Sequence, residues 1–224
     1  MTKVLFFILS LFVLVSCGAG HIPAWKQNAM ADTSNFIESS FIGNESYAAK
    51  YFDKMLEDFR MTVDPDEIAK AYLTKCITEF ALLEYSDCRE AAEMFPLLKN
   101  KENIAYYTFV SGKARSAEEV PEKYREIFNI SKNCDVVKAN SALSSEKDPV
   151  TRLVKAAAVA RTGCGNAETA GIAVNTASKE GWKKAALKYL ALQLAYFEKH
   201  GDRQNAELIK KRMELVVSEE SLDK

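Results

Sequence analysis

A chain of 224 residues, 48% of them hydrophobic, is long enough to bury a substantial core. Its 30 Lys and Arg against 31 Asp and Glu give a net charge of -1. Those charges are interspersed along the chain, which excludes the basic footprint of a nucleic-acid binder.

The chain starts with one positive charge, Lys3, followed by Val4 to Val15, apolar throughout except for Ser10. A helix that spans the hydrocarbon core needs about 20 apolar residues, so this run has the length of a secretory signal rather than of a lasting membrane span. It ends in Leu14-Val15-Ser16-Cys17, followed by the small residues Gly18-Ala19-Gly20. That tetrapeptide resembles the lipobox of bacterial lipoproteins. The resemblance implies that residues 1–16 are a signal peptide that is removed, that Cys17 carries a diacylglyceryl thioether, and that its new amine is acylated. Two or more acyl chains, at about 0.8 kcal/mol per buried CH₂, hold a protein stably at a bilayer. Residue 18 is Gly rather than Asp, which by resemblance to lipoprotein sorting in Gram-negative bacteria implies the outer membrane, facing the periplasm. An ordinary secretory signal or an uncleaved anchor is the alternative. Only Lys3 is lost with the signal, so the remainder carries 29 basic and 31 acidic residues.

Residues 17–23 form a short lipidated tether, and everything from 24 to 217 reads as helix. Gly and Pro are sparse, and strand-length alternation is missing. Expected helices cover 24–42, 45–61, 65–85, 88–98, 101–111, 121–129, 134–143, 149–162, 167–180, 182–200 and 203–217, followed by a polar tail at 218–224. Starts are marked by Asp64-Pro65, Asp87, Asp148-Pro149, Asn166 and Asp202, whose side chains suit the N-cap. Stops are marked by Gly43, Gly112, Gly163, Gly181 and Gly201, which suit the left-handed position past a helix end. Short joins make neighbours antiparallel. The segment 182–200 is apolar on more than one face and 149–162 is rich in Ala, so both want close neighbours.

Small-bulky-small spacings after tight turns recur at Ala91, Phe95 and Leu98 and at Ala170, Val174 and Ala177. Ala206 keeps the small residue, with Lys210 in the bulky place, and Val120, Tyr124 and Ile127 fit by spacing beside Pro121. The body therefore resembles a degenerate tetratricopeptide-like array over residues 65–217. Ala170 and Ala206 are 36 residues apart, near that family's period of about 34. The fold class expected is all-α: stacked antiparallel hairpins in a solenoid or, alternatively, an irregular helical bundle.

Four cysteines follow Cys17, and in an oxidising compartment an even number suggests two disulfides; buried free thiols are the alternative. None belongs to a CxxC pair, so a zinc or redox motif is weakly supported. In the hairpin picture the start of 134–143 lies beside the end of 149–162, which pairs Cys134 with Cys164. Cys76 and Cys88 are the second candidate pair. The nine residues of helix expected after Cys76 rise about 13 Å, beyond the roughly 7 Å Cα separation a disulfide allows.

No residue set selects a reaction. His21 falls in the tether and His200 at a helix end, where it complements the macrodipole. HExxH, GxSxG and both glycine-rich nucleotide loops are missing from the sequence, and Gly163-Cys164-Gly165 reads as a helix–helix turn. Tyr47, Tyr51, Phe52, Met55 and Phe59 have the spacing of a core stripe, while one of the adjacent Tyr106 and Tyr107 must point away from a one-sided core. No catalytic residue, metal site or cofactor is expected. The expected function is that of a lipid-anchored adaptor for other envelope proteins or peptides, similar in architecture to the helical-repeat lipoproteins of outer-membrane protein insertion and secretin assembly. An envelope enzyme or small-molecule binder with an inter-helix pocket, and a surface-exposed lipoprotein, are the alternatives.

Overall fold

Asx residues and glycines divide the chain into eleven α-helices among the residues, 22–217, described by a computed structural model. The signal segment 1–16, Cys17, His21 and the tail 218–224 lie outside the described residues. The helices are α1 (Ala24–Ile42), α2 (Glu45–Arg60), α3 (Pro65–Ala81), α4 (Arg89–Met94), α5 (Lys101–Val110) and α6 (Arg125–Asn133). They continue with α7 (Val136–Ser145), α8 (Pro149–Arg161), α9 (Ala167–Lys179), α10 (Lys183–Lys199) and α11 (Arg203–Val217). The caps are chemical. Asp148 accepts the Thr151 N–H at 2.7 Å, and Asn166 accepts the Thr169 N–H at 2.9 Å while the Thr169 hydroxyl accepts from the Asn166 N–H at 3.1 Å. Each bond satisfies a helix-start donor that would otherwise be orphaned. At the other end of α1, Gly43 takes φ +98, and a Cβ there would stand 3.2 Å from the Lys184 Cβ of α10. Glycine is needed at that position twice over, for its backbone angle and for the close approach.

Four boundaries differ from expectation: α6 starts at Arg125 rather than 121, after a 3₁₀ turn at Glu122–Tyr124, and the other three turn on left-handed residues that are not glycine. α3 stops at Ala81 rather than 85, because Leu83 takes φ +62 and reverses the chain. The next helix is capped not by Asp87 but by Cys88 at φ +52; it is only six residues long and passes into a 3₁₀ turn at Phe95–Leu97. Cys134, at φ +51, ends α6 instead of opening α7, which is capped by Asp135 accepting the Lys138 N–H at 3.1 Å. The Ala91-Phe95-Leu98 pattern is therefore not carried on one helix: Ala91 is buried and Phe95 faces out. Ala170, Val174 and Ala177 do share one buried face of α9.

The helices pack around a central contact between α3 and α8. α3 is bordered by α1, α2, α4 and α5, and α8 by α6, α7 and α9. From α7 onward each helix packs on its neighbours in sequence, the pattern of stacked hairpins. The array does not stay open, however, because α1 lies against α10 and closes it into a bundle. Lys184 fastens that closure by binding Glu45 at 2.9 Å and Glu84 at 3.4 Å.

The larger core runs from Phe41 to Ile209 around α3, α8, α9 and α10. Alanines dominate its middle, with Ala156, Ala157, Ala158, Ala173, Ala177 and Ala185 all buried. The wholly buried Tyr189 hydroxyl lies 2.9 Å from the carbonyls of both Ala81 and Leu153, so one donor serves the end of α3 and the middle of α8. A smaller core between α1, α2 and α3 is built from Ala29, Phe36, Met55, Leu56 and Phe59.

Candidate functional site

Two cavities and two cysteine pairs hold the groups with chemical potential. The first cavity, about 440 Å³, opens where the two cores meet. Its wall is apolar on both sides: Ile37 and Phe59 from the α1–α2 layer, Leu73 and Ile77 from α3, Val150 and Val154 from α8. The polar rim is assembled by local capping. Asp66, in the first turn of α3, accepts the N–H groups of Lys99 and Asn100 at 3.1 Å and the Asn103 amide at 3.2 Å, which pins the start of α5 to the start of α3. Burial pushes the Asp66 carboxyl up, but these donors outweigh it and hold it below its ordinary value.

Of the two adjacent tyrosines in α5, Tyr107 turns into the core and Tyr106 turns to this cavity. Tyr106 meets Tyr124 edge-on at 6.2 Å, and the Lys123 ammonium stands 5.6 Å from the first ring centroid and 5.0 Å from the second. Desolvation works to lower the Lys123 pKa; the charge and hydrogen-bonding of the Tyr124 and Tyr106 hydroxyls outweigh it, so the ammonium is held above its ordinary value. Burial pushes the Tyr124 phenol up to about 12, with Lys123 pulling the other way. The rim therefore sets Lys70, Glu102 and Lys123 beside Tyr106 and Tyr124 over an apolar floor.

The second cavity, about 590 Å³, lies between the ends of α5, α6 and α8 and is lined by Phe109, Phe128, Ser131, Arg115, Lys132 and Arg161, among others. Arg161 donates to the carbonyls of Val110 and Phe109, both at 2.9 Å, and its guanidinium covers the Phe80 ring at 4.6 Å. It thereby answers the negative end of α5, where the Phe109 carbonyl also accepts the Gly112 N–H at 3.2 Å.

Cys76 and Cys88 form a disulfide with Cα atoms 5.6 Å apart. The objection of excessive helical rise disappears because α3 ends five residues after Cys76 and the left-handed Leu83 brings the chain back beside it. Cys134 and Cys164 are brought together as expected of a hairpin, but as free thiols, the first exposed and the second buried. Burial, and next the hydrogen-bonded Cys134 thiol, push the Cys164 thiol up to about 12. The disulfide expected between them is not formed in the structure.

His200 is at the end of α10, its Nδ1 2.7 Å from the Tyr196 carbonyl and away from both cavities. In the aromatic series of α2, Met55 and Phe59 are buried, but Tyr47 is exposed, so the stripe is only partly core. Among the described residues no three or more His, Cys, Asp or Glu are grouped to hold a metal ion, and no helix is long and apolar enough to cross a membrane. Sequence reasoning missed Ser131, Lys132, Arg161, Lys123 and Asp66, because each acquires its role only from elements distant in the chain. No family model, curated protein or solved structure matches the chain.

Proposed function

We propose that this is a lipid-anchored, non-enzymatic protein of the bacterial cell envelope whose helical body receives an apolar segment of another envelope protein. The address rests on the Leu14-Val15-Ser16-Cys17 sequence, which resembles a lipobox and would hold the body near the outer membrane with the bundle in the periplasm. The binding role is supported by one observation above the others: the cavity at the seam of the two cores, with apolar walls from α1, α3 and α8 and a rim of Lys70, Asn100, Glu102, Asn103 and Lys123. An apolar floor with a few convergent polar groups is the usual make-up of a binding site. Behind the rim, Asp66 is committed to backbone N–H groups that fix Asn100 and Asn103 in place, and Lys123 faces two rings; Glu102 and Lys70 are the other charged groups of the lining. The successive packing of α7 to α11 supports the likeness to tetratricopeptide-type adaptors in that half of the body.

The test is a photocrosslinking amino acid in place of Ile77, on the cavity wall, in cells carrying the full-length protein. The expected result is an ultraviolet-dependent adduct with one envelope protein, weakened when Leu73 is replaced by Asp. Adducts to no protein, or the same adducts from a probe at the exposed Tyr47, count against the proposal. The address is tested separately by intact-mass analysis of the membrane fraction: mass added at Cys17 is expected, and its absence removes the anchor.

A further inference from the structure

Beyond Arg161, which caps α5, the cavity between α5, α6 and α8 holds polar groups that neither packing nor helix capping accounts for. Ser131, on α6, is 5% exposed, lines the cavity, and its hydroxyl has no hydrogen-bond partner among the described residues. A helical serine ordinarily bonds back to the carbonyl four residues earlier; this one does not, and a buried hydroxyl without a partner lowers stability. Such a group is retained at a cost unless something else satisfies it.

The charges around it share one sign. Arg115, Lys132 and Arg161 line the cavity and, among the described residues lining it, none is acidic. Glu119, the neighbouring carboxylate, accepts the Arg115 backbone N–H at 2.7 Å. Lys132 gives one hydrogen bond, at 3.3 Å, to the Arg115 carbonyl, and an ammonium has three donors to give. Three helix ends also meet here, and each contributes a partial negative charge of roughly one half, of which Arg161 already answers the one on α5. Among the groups that line the cavity, Arg115 and Lys132 set two positive charges against the two remaining helix ends, about one negative charge together; Glu119 is not part of the lining. The remaining wall is apolar, with Phe109, Phe128 and Ala158. At about 590 Å³ the cavity falls within the roughly 300–1,000 Å³ of small-ligand pockets.

We infer that this cavity binds a small amphipathic oxyanion, its charged end held by Lys132, Arg115 and the Ser131 hydroxyl and its aromatic or aliphatic body placed between Phe109 and Phe128. The site is separate from the seam cavity, and the inference does not depend on the lipid anchor.

The experiment uses the full-length protein with alanine methyl groups isotopically labelled and follows Ala114 and Ala158, which line the cavity, by NMR during titration. The probes are 3-phenylpropanoate, its neutral amide, phenyl phosphate and inorganic phosphate. Saturable shifts are expected with the two amphipathic anions and not with the amide or inorganic phosphate; the stronger of the two identifies the oxyanion as carboxylate or phosphate. K132Q with R115Q should weaken binding at least tenfold. S131A should weaken it severalfold while leaving thermal stability unchanged or raised, a combination that a purely structural serine would not give. Binding of the amide as tight as that of the acid, unchanged affinity in K132Q with R115Q, or no shift with any probe would overturn the inference. Tight binding of inorganic phosphate alone would overturn its apolar half.

Discussion

The α1–α2 hairpin and the α8–α10 layer are both built from helices joined by short turns, yet from opposite materials. Between α1 and α2 the contacts are large: Phe36 and Phe52 at 5.6 Å, Trp25 and Phe59 at 6.4 Å, and the Met55 sulfur 3.0 Å from the Thr33 hydroxyl. In the α8–α10 layer alanines predominate among the buried residues, interspersed with Leu153, Val154, Val174 and Leu190, and the largest buried group, Tyr189, is held at its tip by two carbonyls. Large side chains on a peripheral layer fill space that two helices leave between them. Small ones bring backbones together, so the polar network can reach across: Asn140 of α7 donates to Glu168 at 2.8 Å and accepts from Thr169 at 2.7 Å. Removing volume should therefore cost most where the buried side chains are large, and adding volume most where they are small.

The largest effect is expected on removing volume from the α1–α2 layer. Met55→Ala, at a residue with no exposed surface, should lower unfolding free energy by about 2–5 kcal/mol in urea titration. Hydrogen exchange sharpens the comparison: amides of α1 and α2 should lose protection more than those of α8 to α10. Equal loss everywhere would mean the two regions melt as one unit. Adding volume to the alanine layer comes next. Ala157→Leu, again at a residue with no exposed surface, should cost about 1–3 kcal/mol, whereas the same change at the half-buried Ala92 should cost well under half of that. If Ala157→Leu is neutral, the layer is looser than its packing indicates.

The smallest of the three effects depends on pH. Lys155 and Glu146 form an ion pair at 2.6 Å with side chains only 10% and 19% exposed, fastening α8 to the end of α7. The Lys155 ammonium, hydrogen-bonded to the carboxylate, holds the Glu146 pKa below its ordinary value. A lowered folded-state pKa means the contribution is present above the unfolded glutamate value, about 4.3, and is lost as pH falls through the folded value. Glu146→Gln should cost about 1–2 kcal/mol at pH 7 and correspondingly less in acid, so the two stability curves should converge below about pH 4. Parallel curves would show that the pair contributes nothing to the alanine-rich half.

Much of this fold was legible because its punctuation is chemical. Asp64, Asp148 and Asn166 begin helices where the sequence says they should, and all five glycines expected as stops take positive φ. What stayed hidden is equally specific. Leu83, Cys88 and Cys134 adopt the same left-handed backbone without the residue that advertises it, and tertiary packing, not local preference, holds them there. That one omission displaced the end of α3, the start of α4 and the α6–α7 boundary, and with them the geometry of Cys76 and Cys88. The cavities were illegible for a different reason. Ser131, Arg115 and Arg161 are unremarkable as letters, and their convergence is a property of how α5, α6 and α8 meet. Tyr106 was the exception, since two adjacent aromatics on a helix cannot both enter a core on one side.

The berth of α1 against α10 has a consequence for the order of assembly. Its fastening, Lys184 to Glu45, joins residues 139 apart, so one of its partners emerges from the ribosome long after the other. Closing so long a loop costs chain entropy that local hairpins do not incur. The contact of α1 with α10 should therefore be the last to form and the first to open, and a nascent chain ending before Trp182 would carry Phe41 without the ring that meets it at 4.7 Å. A chain stalled there would be the form most in need of a chaperone.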